Sequence, residues 1–229
     1  MKKYIYILLL VTISKVYSQK SEIFTDVSFG TFTNLPLKDF HNDLADEIPF
    51  EGIKTTDNFN FNYGFTIGFK ANKINTSFFY NQKVAGSKSS LADYSGYIKL
   101  TNEIKGSTFG AIYEKELSRK DKKTLHIGFK GLLTFSNLTL ANNNLIANTR
   151  TNEIINFKST DFGAGLLFTY RIPISFFIIR SYIGADIYLG GKLKFKEISG
   201  SHLTNKNGNA LKTGWTGING GLGIAIPIL

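Results

Sequence analysis

The segment Phe59-Asn60-Phe61-Asn62-Tyr63-Gly64-Phe65-Thr66-Ile67-Gly68-Phe69-Lys70 alternates large apolar residues with small or polar ones. Successive side chains of a β-strand point to opposite faces, so a period of two residues predicts a strand with one apolar and one polar face. The same alternation recurs at 124–136, 162–171 and 217–228. The chain is therefore predicted to be all-β, with Phe59 among the residues of the apolar face.

The size of the apolar side chains predicts which face is outside. A closed barrel of about eight strands has an interior that side chains alone fill. Phenylalanines on strand after strand would overfill it, so small and polar residues are expected inside, and Phe, Ile and Leu outside, facing lipid. The longest apolar run of the mature chain, 172–179, has eight residues, whereas a spanning helix needs about 20. A closed β-barrel is the remaining way to satisfy the backbone in lipid.

The first 18 residues have the composition of an export signal. A basic start, Met1-Lys2-Lys3, precedes an apolar run at 4–13 and a cleavage site at Val16-Tyr17-Ser18. We predict a signal peptide at 1–18 and a single barrel domain at 19–229. Removal of the signal lowers the formal net charge from +10 to +7. The absence of Cys excludes disulfides, thiolate nucleophiles and Cys-based zinc sites.

Connections of two lengths alternate along the chain. Short ones near 71–73, 118–123 and 173–175 separate long polar segments at about 33–58, 84–105, 137–156 and 191–214. Short periplasmic turns and long extracellular loops are typical of outer-membrane barrels, and they predict a transmembrane antiparallel up-and-down barrel of eight strands. The strands are expected at roughly 22–32, 59–70, 74–83, 106–117, 124–136, 157–171, 176–190 and 214–228. Residues 94–101 also alternate; we expect them to extend the barrel wall above the membrane, and a crossing there would give ten strands.

With this pattern the chain resembles the small eight-stranded outer-membrane barrels of the OmpA/OmpX type, and more closely the exported outer membrane protein β-barrel domain family of Bacteroidota. The resemblance covers 19–229 and rests on the signal peptide, the hairpins and the last strand. Asn219, Gly221, Ile224 and Ile226 match the family's assembly signal, although the chain ends Pro227-Ile228-Leu229 without the usual terminal aromatic residue. The resemblance implies an outer-membrane location and recognition of the C-terminal strand by the barrel-assembly machinery.

Charged residues on the inward face predict a network inside the barrel. Lys70, Glu114, Glu116, Arg171 and Arg180 all lie within about half a strand of the short turns. Paired charges can coexist in a narrow interior, so we expect salt bridges and hydrogen bonds among them. A proton or ion path is the alternative, but an interior filled by side chains leaves little aqueous channel.

The long loops carry opposite charges. Residues 33–57 have a net charge of −4, and residues 191–213 have a net charge of +4. The basic loop residues are Lys192, Lys194, Lys196, Lys206 and Lys212. We expect this basic surface to meet phosphates of lipopolysaccharide or the acidic surface of a partner. No aromatic and basic platform for nucleic acid accompanies it.

Signals of catalysis are poor, and neither a metal nor a cofactor is expected. His41, His126 and His202 are far apart and have no metal-ligand spacing or nucleophile motif. Lipid A deacylases of similar size carry His-x-Ser on a strand, whereas His126-Ile127-Gly128 lacks the serine.

Three functions stay open at this point. The leading prediction is a non-enzymatic outer-membrane protein, a filled barrel whose long surface loops bind partners or lipopolysaccharide in outer-membrane lipid. The second is a barrel subunit of an envelope or protein-secretion machine. The third is a lipid A-modifying enzyme, such as a loop-borne acyltransferase using His41 with Asp39, Asp43 or a loop serine.

Overall fold

The computed structural model describes residues 21–94, 96–146, 148–198 and 200–228; the predicted signal peptide at 1–18 lies outside these ranges. The described residues form nine strands, one α-helix and a short 3-10 turn at Asn72–Ile74. The elements are β1 (Ser21–Thr31), α1 (Leu35–Asp46), β2 (Lys54–Ala71), β3 (Thr76–Asp93), β4 (Gly96–Lys120), β5 (Lys123–Ile146), β6 (Thr149–Ile174), β7 (Phe177–Tyr188), β8 (Lys194–Phe195) and β9 (Gly217–Ile228).

Eight of these strands form one closed antiparallel barrel. Each strand from β1 to β6 pairs with the next along the chain, up to β7. The last strand, β9, pairs with both β7 and β1, which closes the ring. The two-residue strand β8 lies beside the upper part of β6, with Phe195 opposite Phe157. The predicted eight-stranded up-and-down barrel is confirmed, and the ten-strand alternative is wrong because residues 96–101 belong to β4.

The short turns lie at one end of the barrel, together with the paired residues Ser21 and Ile228. The turn between β4 and β5 places Asp121 and Lys122 at positive φ, 49° and 68°. This backbone suits a tight hairpin because its twist matches that of the flanking strands. Ser175, between β6 and β7, is also left-handed at φ 54°. The long connections therefore lie at the opposite end, which we call the outer end.

Two segments expected as loops are strands. β3 and β4 pair from Thr76 and Tyr113 up to Asp93 and Gly96, and β5 and β6 pair continuously to their outer tips. Residues 96–101 extend the wall as expected. For the rest of 84–105 and for 137–156 the prediction of loops was wrong, because the hydrogen-bond ladder uses backbone groups, which pair whatever the polarity of the side chains. These hairpins extend the wall of the barrel beyond its apolar part.

The first long connection contains the helix α1, which the sequence reading missed. The side chain of Asn34 caps it by accepting a hydrogen bond from the backbone N–H of Leu37, and a proline lies in its first turn. Leu37, His41 and Ala45 are its buried residues, at a spacing that puts them on one face. No helix among the described residues is long and apolar enough to cross a membrane.

The outer wall is an apolar belt, as the alternation predicted. On β2, Phe65 is 53% exposed and its neighbour Thr66 only 7%, so the large side chains point outward. The exposed apolar residues on the barrel wall include Ile23, Val27, Phe29, Phe61, Tyr63, Ile67, Phe78, Phe109, Tyr113, Phe129, Phe135, Phe162, Leu166, Phe168, Ile183, Ile187, Ile218, Leu222, Ile224 and Ile226. A continuous surface of this kind is unfavourable in water and suits the hydrocarbon of a bilayer.

Phe59 is an exception to this alternation. Its φ is +50°, and the pairing register of β2 with β3 shifts between Asn58 and Asn62. A bulge of this kind re-aims a side chain, and the ring of Phe59 is buried. Its assignment to the lipid face was therefore wrong.

Candidate functional site

The end of the lumen next to the short turns holds three ion pairs between different strands. They are Lys70–Glu114, with Nζ 2.7 Å from Oε2, Arg171–Glu22, and Arg180–Asp26, with Nε 3.8 Å from Oδ1. All six side chains are buried. The guanidinium of Arg180 also lies over the ring of Phe24, 3.9 Å from its centroid. Three positive and three negative charges thus balance inside the barrel.

The structure brings four of the five predicted network residues to this end of the lumen: Lys70, Glu114, Arg171 and Arg180. Glu116 differs, since it is exposed and accepts two hydrogen bonds from Arg119, at 2.7 and 2.9 Å. A register shift lies just beyond it, between Glu116 and Ser118, so its side chain reaches the turn. Glu22 was missed, although it has the same strand parity as Phe24 and Asp26.

The middle of the lumen is organised around Asp186. Its carboxylate lies 2.5 Å from Lys130 Nζ and 3.7 Å from Lys83 Nζ. Asn219 Nδ2 donates a hydrogen bond to the same carboxylate at 2.9 Å. The cavity beside these residues has a volume of about 50 Å³, which holds a few water molecules.

The outer part of the lumen is an apolar core instead of a polar channel. Its buried residues are Phe32, Leu37, Phe59, Ala85, Ile104, Leu132, Leu138, Phe157, Tyr188, Leu193, Leu211 and Trp215. Helix α1 contributes Leu37, and the connection between β7 and β9 contributes Leu193 and Leu211. Trp215 Nε1 donates a hydrogen bond to Ser136 Oγ at 3.0 Å. The expectation of small and polar residues inside is wrong here, because the connections bring their own apolar faces into the barrel.

Glycines on the wall make room for these large rings. A Cβ added at Gly106 would lie 2.7 Å from Trp215 Cζ2, and one added at Gly163 would lie 2.8 Å from Tyr188 Cδ1. A side chain at either position would displace a ring from the lumen. The glycines of the inward face therefore do more than fill a narrow interior, since they let aromatic residues pack flat against the backbone.

A buried polar contact fixes helix α1 to the wall. Asn102 Nδ2 donates a hydrogen bond to His41 Nδ1 at 2.8 Å, and His41 Nε2 lies 2.9 Å from Ser89 Oγ. Burial lowers the pKa of His41 to about 4, and Asp57 opposes this shift. The histidine is therefore neutral at pH 7 and acts as a structural hydrogen-bonding group.

The two oppositely charged connections meet at the outer end. Lys206 Nζ lies 3.1 Å from Asp43 Oδ1 and 3.9 Å from Glu47 Oε1, which links the fourth connection to helix α1. Asn34 Nδ2 adds a hydrogen bond to the carbonyl of Lys212 at 3.0 Å. The acidic and basic segments thus neutralise each other in part and form one cap.

The side chains of the other lysines of the basic loop point away from this cap. Lys192, Lys194 and Lys212 are exposed, whereas Leu193 and Leu211 between them point into the core. Because neighbours in an extended chain point to opposite faces, these lysines lie on the outside of the wall. Lys196 is exposed beyond them.

Two features bear on catalysis. The predicted partners of His41 were Asp39, Asp43 or a loop serine, and the serine it contacts is Ser89 of β3. Both His41 and Ser89 are buried, with 0% and 1% exposure, so a substrate has no access to the pair. Among the described residues, no group of three or more His, Asp or Glu side chains is placed to hold a metal ion.

No protein-family model and no curated protein matches the chain. Solved structures that are similar to it include the following two. Neisserial surface protein A (NspA) has a TM-score of 0.35 and 11% identity, over 91% of this chain and 96% of that one. Ail, the attachment invasion locus protein of Yersinia pestis, solved in complex with the heparin analogue sucrose octasulfate, has a TM-score of 0.38 and 11% identity, over 91% and 99%. Likenesses this weak carry no inference about function.

Proposed function

We propose that this chain is an integral outer-membrane β-barrel protein that is not an enzyme and has no through-channel, and whose outer end binds surface partners or lipopolysaccharide. The filled lumen is the observation that carries the proposal. Ion pairs, the Asp186 cluster and the apolar core follow one another from the short turns to the outer end. A protein with this interior acts through its surfaces.

The outer-membrane location is supported by the wall and by the connections. The apolar belt faces outward around the ring, and short turns at one end oppose long extensions at the other, as in outer-membrane barrels. On β9, Ile224 and Ile226 belong to the belt, whereas Asn219 binds Asp186 inside. This alternation supports the proposal that the assembly machinery recognises the C-terminal strand.

The non-enzymatic part of the proposal is supported by the accessibility of the polar groups. The His41–Ser89 pair is buried under helix α1, and the charged groups of the lumen are tied in ion pairs. Of the exposed lysines at the outer end, Lys194 lies opposite His202 across a β-bridge, and Lys206 is paired with Asp43 and Glu47. Exposed positive charge of this density suits binding of an anionic surface.

Single-channel recording in a planar bilayer tests the closed lumen. We expect no conductance steps from the wild-type protein, and a porin in the same bilayer serves as the positive control. Stable open steps of porin size would overturn the proposal. Mass spectrometry of lipid A from cells with and without the gene tests the enzymatic alternative, and a changed acylation pattern would support that alternative.

A further inference from the structure

Four lysines form an unpaired basic patch on the outer wall. Lys158 of β6 is the register partner of Lys194, and Lys192 is bridged to Lys212. Register partners in antiparallel chains project to the same side, and all four side chains are exposed. Within the described ranges none of the four forms an ion pair, in contrast to Lys206, which binds Asp43. Like charges held side by side without a counter-charge attract an anionic partner.

The patch borders a recess lined mainly by exposed residues of the wall. The recess has a volume of about 550 Å³, and its walls include Phe135, Thr160 and the lysines 158, 192 and 194. No acidic residue lines it. It therefore combines aromatic surface with three ammonium groups at the upper border of the apolar belt.

A second, apolar groove lies further down the same strand. It has a volume of about 720 Å³, with Ala164 and Ala185 between the larger side chains of Phe162, Leu166 and Leu189. The distance along β6 from Lys158 to Leu166 is about 26 Å at roughly 3.3 Å per residue. A strand tilt of about 40° reduces this to a depth of about 20 Å, and half of the apolar band of such barrels is about 12 Å. Phe162, half way between Lys158 and Leu166, lies about 10 Å below Lys158, so the groove crosses the middle of the membrane. Its upper part is within reach of the end of an outer-leaflet acyl chain.

We propose that this surface is a binding site for one lipopolysaccharide molecule, with its lipid A phosphates on Lys158, Lys192 and Lys194 and an acyl chain in the groove below. This proposal rests on the proposed function, and it places the binding of lipopolysaccharide on the wall of the barrel instead of at the tips of the loops. An ammonium group binds phosphate as a point charge, and the patch lies at the outer end, where an outer-leaflet lipid has its headgroup. A soluble acidic partner would leave the groove unused, whereas a phosphorylated lipid occupies both parts.

The test measures retention of purified lipid A by the detergent-solubilised full barrel, counted by native mass spectrometry. The triple variant K158Q/K192Q/K194Q is compared with K120Q/K122Q/K123Q, which removes the same charge at the short-turn end. We expect the first triple variant to lose affinity on the order of a hundredfold, since each lysine near an anionic lipid surface contributes separately. The second triple variant is expected to match the wild type.

Two further measurements separate the parts of the proposal. Dephosphorylated lipid A is expected to bind weakly to the wild type, and A164F, which fills the groove with an apolar side chain, is expected to weaken binding while the lysines stay in place. Equal retention by the two triple variants, or equal retention of phosphatidylglycerol, would overturn the site. Absence of lipid A binding by the wild type would instead contradict the lipopolysaccharide part of the proposed function, and conductance of the same samples tests the closed lumen independently.

Discussion

Replacement of Glu114 by Gln tests whether the ion pairs hold the lumen together. Glu114 and Lys70 are 2% and 3% exposed, and their charged atoms lie 2.7 Å apart. E114Q keeps the size of the side chain and removes its charge, so the ammonium of Lys70 loses its partner inside the barrel. The matched control is E116Q, two residues along the same strand, where the glutamate pairs with Arg119 in solvent.

The magnitude follows from the separation and the burial. Coulomb's law with an effective dielectric constant of about 20 gives roughly 6 kcal/mol for unit charges this close. Measured losses on removing one partner of a buried pair are about 3–5 kcal/mol. Arg171 repels Lys70 more strongly than Glu22 attracts it, so no neighbour replaces Glu114, and we expect a loss of about 3–5 kcal/mol for E114Q. The double variant K70M/E114L, which buries no charge at either position, is expected to be more stable than E114Q.

Equilibrium unfolding by urea in lipid vesicles measures these differences. The single tryptophan of the chain, Trp215, is buried in the lumen, so its emission reports loss of the packed interior. E116Q is expected to unfold at the wild-type midpoint. If E114Q and E116Q unfold at the same urea concentration, the buried pair does not stabilise the barrel and the reasoning is refuted.

Three further predictions follow from single residues. The pKa of His41 is lowered from 6.5 to about 4, so the released helix binds a proton more readily than the docked one, and docking weakens as the pH falls from about 6.5 toward 4. Protease cleavage within 33–53 should therefore rise over that range in the wild type. A rise of the same steepness in H41Q would contradict the assignment. L222R, in the middle of the belt, should lower the unfolding free energy in vesicles by about 2–4 kcal/mol, and L117R, beside a short turn, should lower it by about 0–1 kcal/mol. Equal losses would mean that Leu222 does not face the hydrocarbon. G106V should displace Trp215 and cost about 1–3 kcal/mol, with a red shift of its emission, and an unchanged spectrum would argue against their contact.

The barrel itself could be predicted from the sequence because its physics is local. A period of two residues sets the two faces of a strand, and the size of Phe against Gly and Thr sets which face meets lipid. The segment 59–70 carries both signals. The direction of its first residue, Phe59, was not predicted. The positive φ of Phe59 and the register shift beside it turn the side chain inward, and neither feature is visible in the alternation.

The cap and the apolar core could not be predicted from the sequence, for a different reason. The sequence contains signals of helix α1: the Asn34 cap, the proline after it and the spacing of Leu37, His41 and Ala45. The polar composition of 33–58 nevertheless favoured the prediction of a loop. The contacts of Trp215 with Ser136 and of Lys206 with Asp43 join residues 79 and 163 positions apart, so only the closed ring brings them together. The ion pairs were partly predictable because strand parity places Lys70 and Glu114 on the inward face.

The most direct test of the membrane-spanning barrel is the environment of its outer wall. The chain has no cysteine, so single cysteines at Phe61, Phe65 and, as a control in solvent, Ser118 can carry a nitroxide label without further changes. In lipid vesicles we expect relaxation of the first two labels by oxygen, which concentrates in hydrocarbon, and of the Ser118 label by a water-soluble nickel complex. Relaxation of the labels at positions 61 and 65 by the nickel complex, as strong as at 118, would contradict the account, because the apolar belt would then face water.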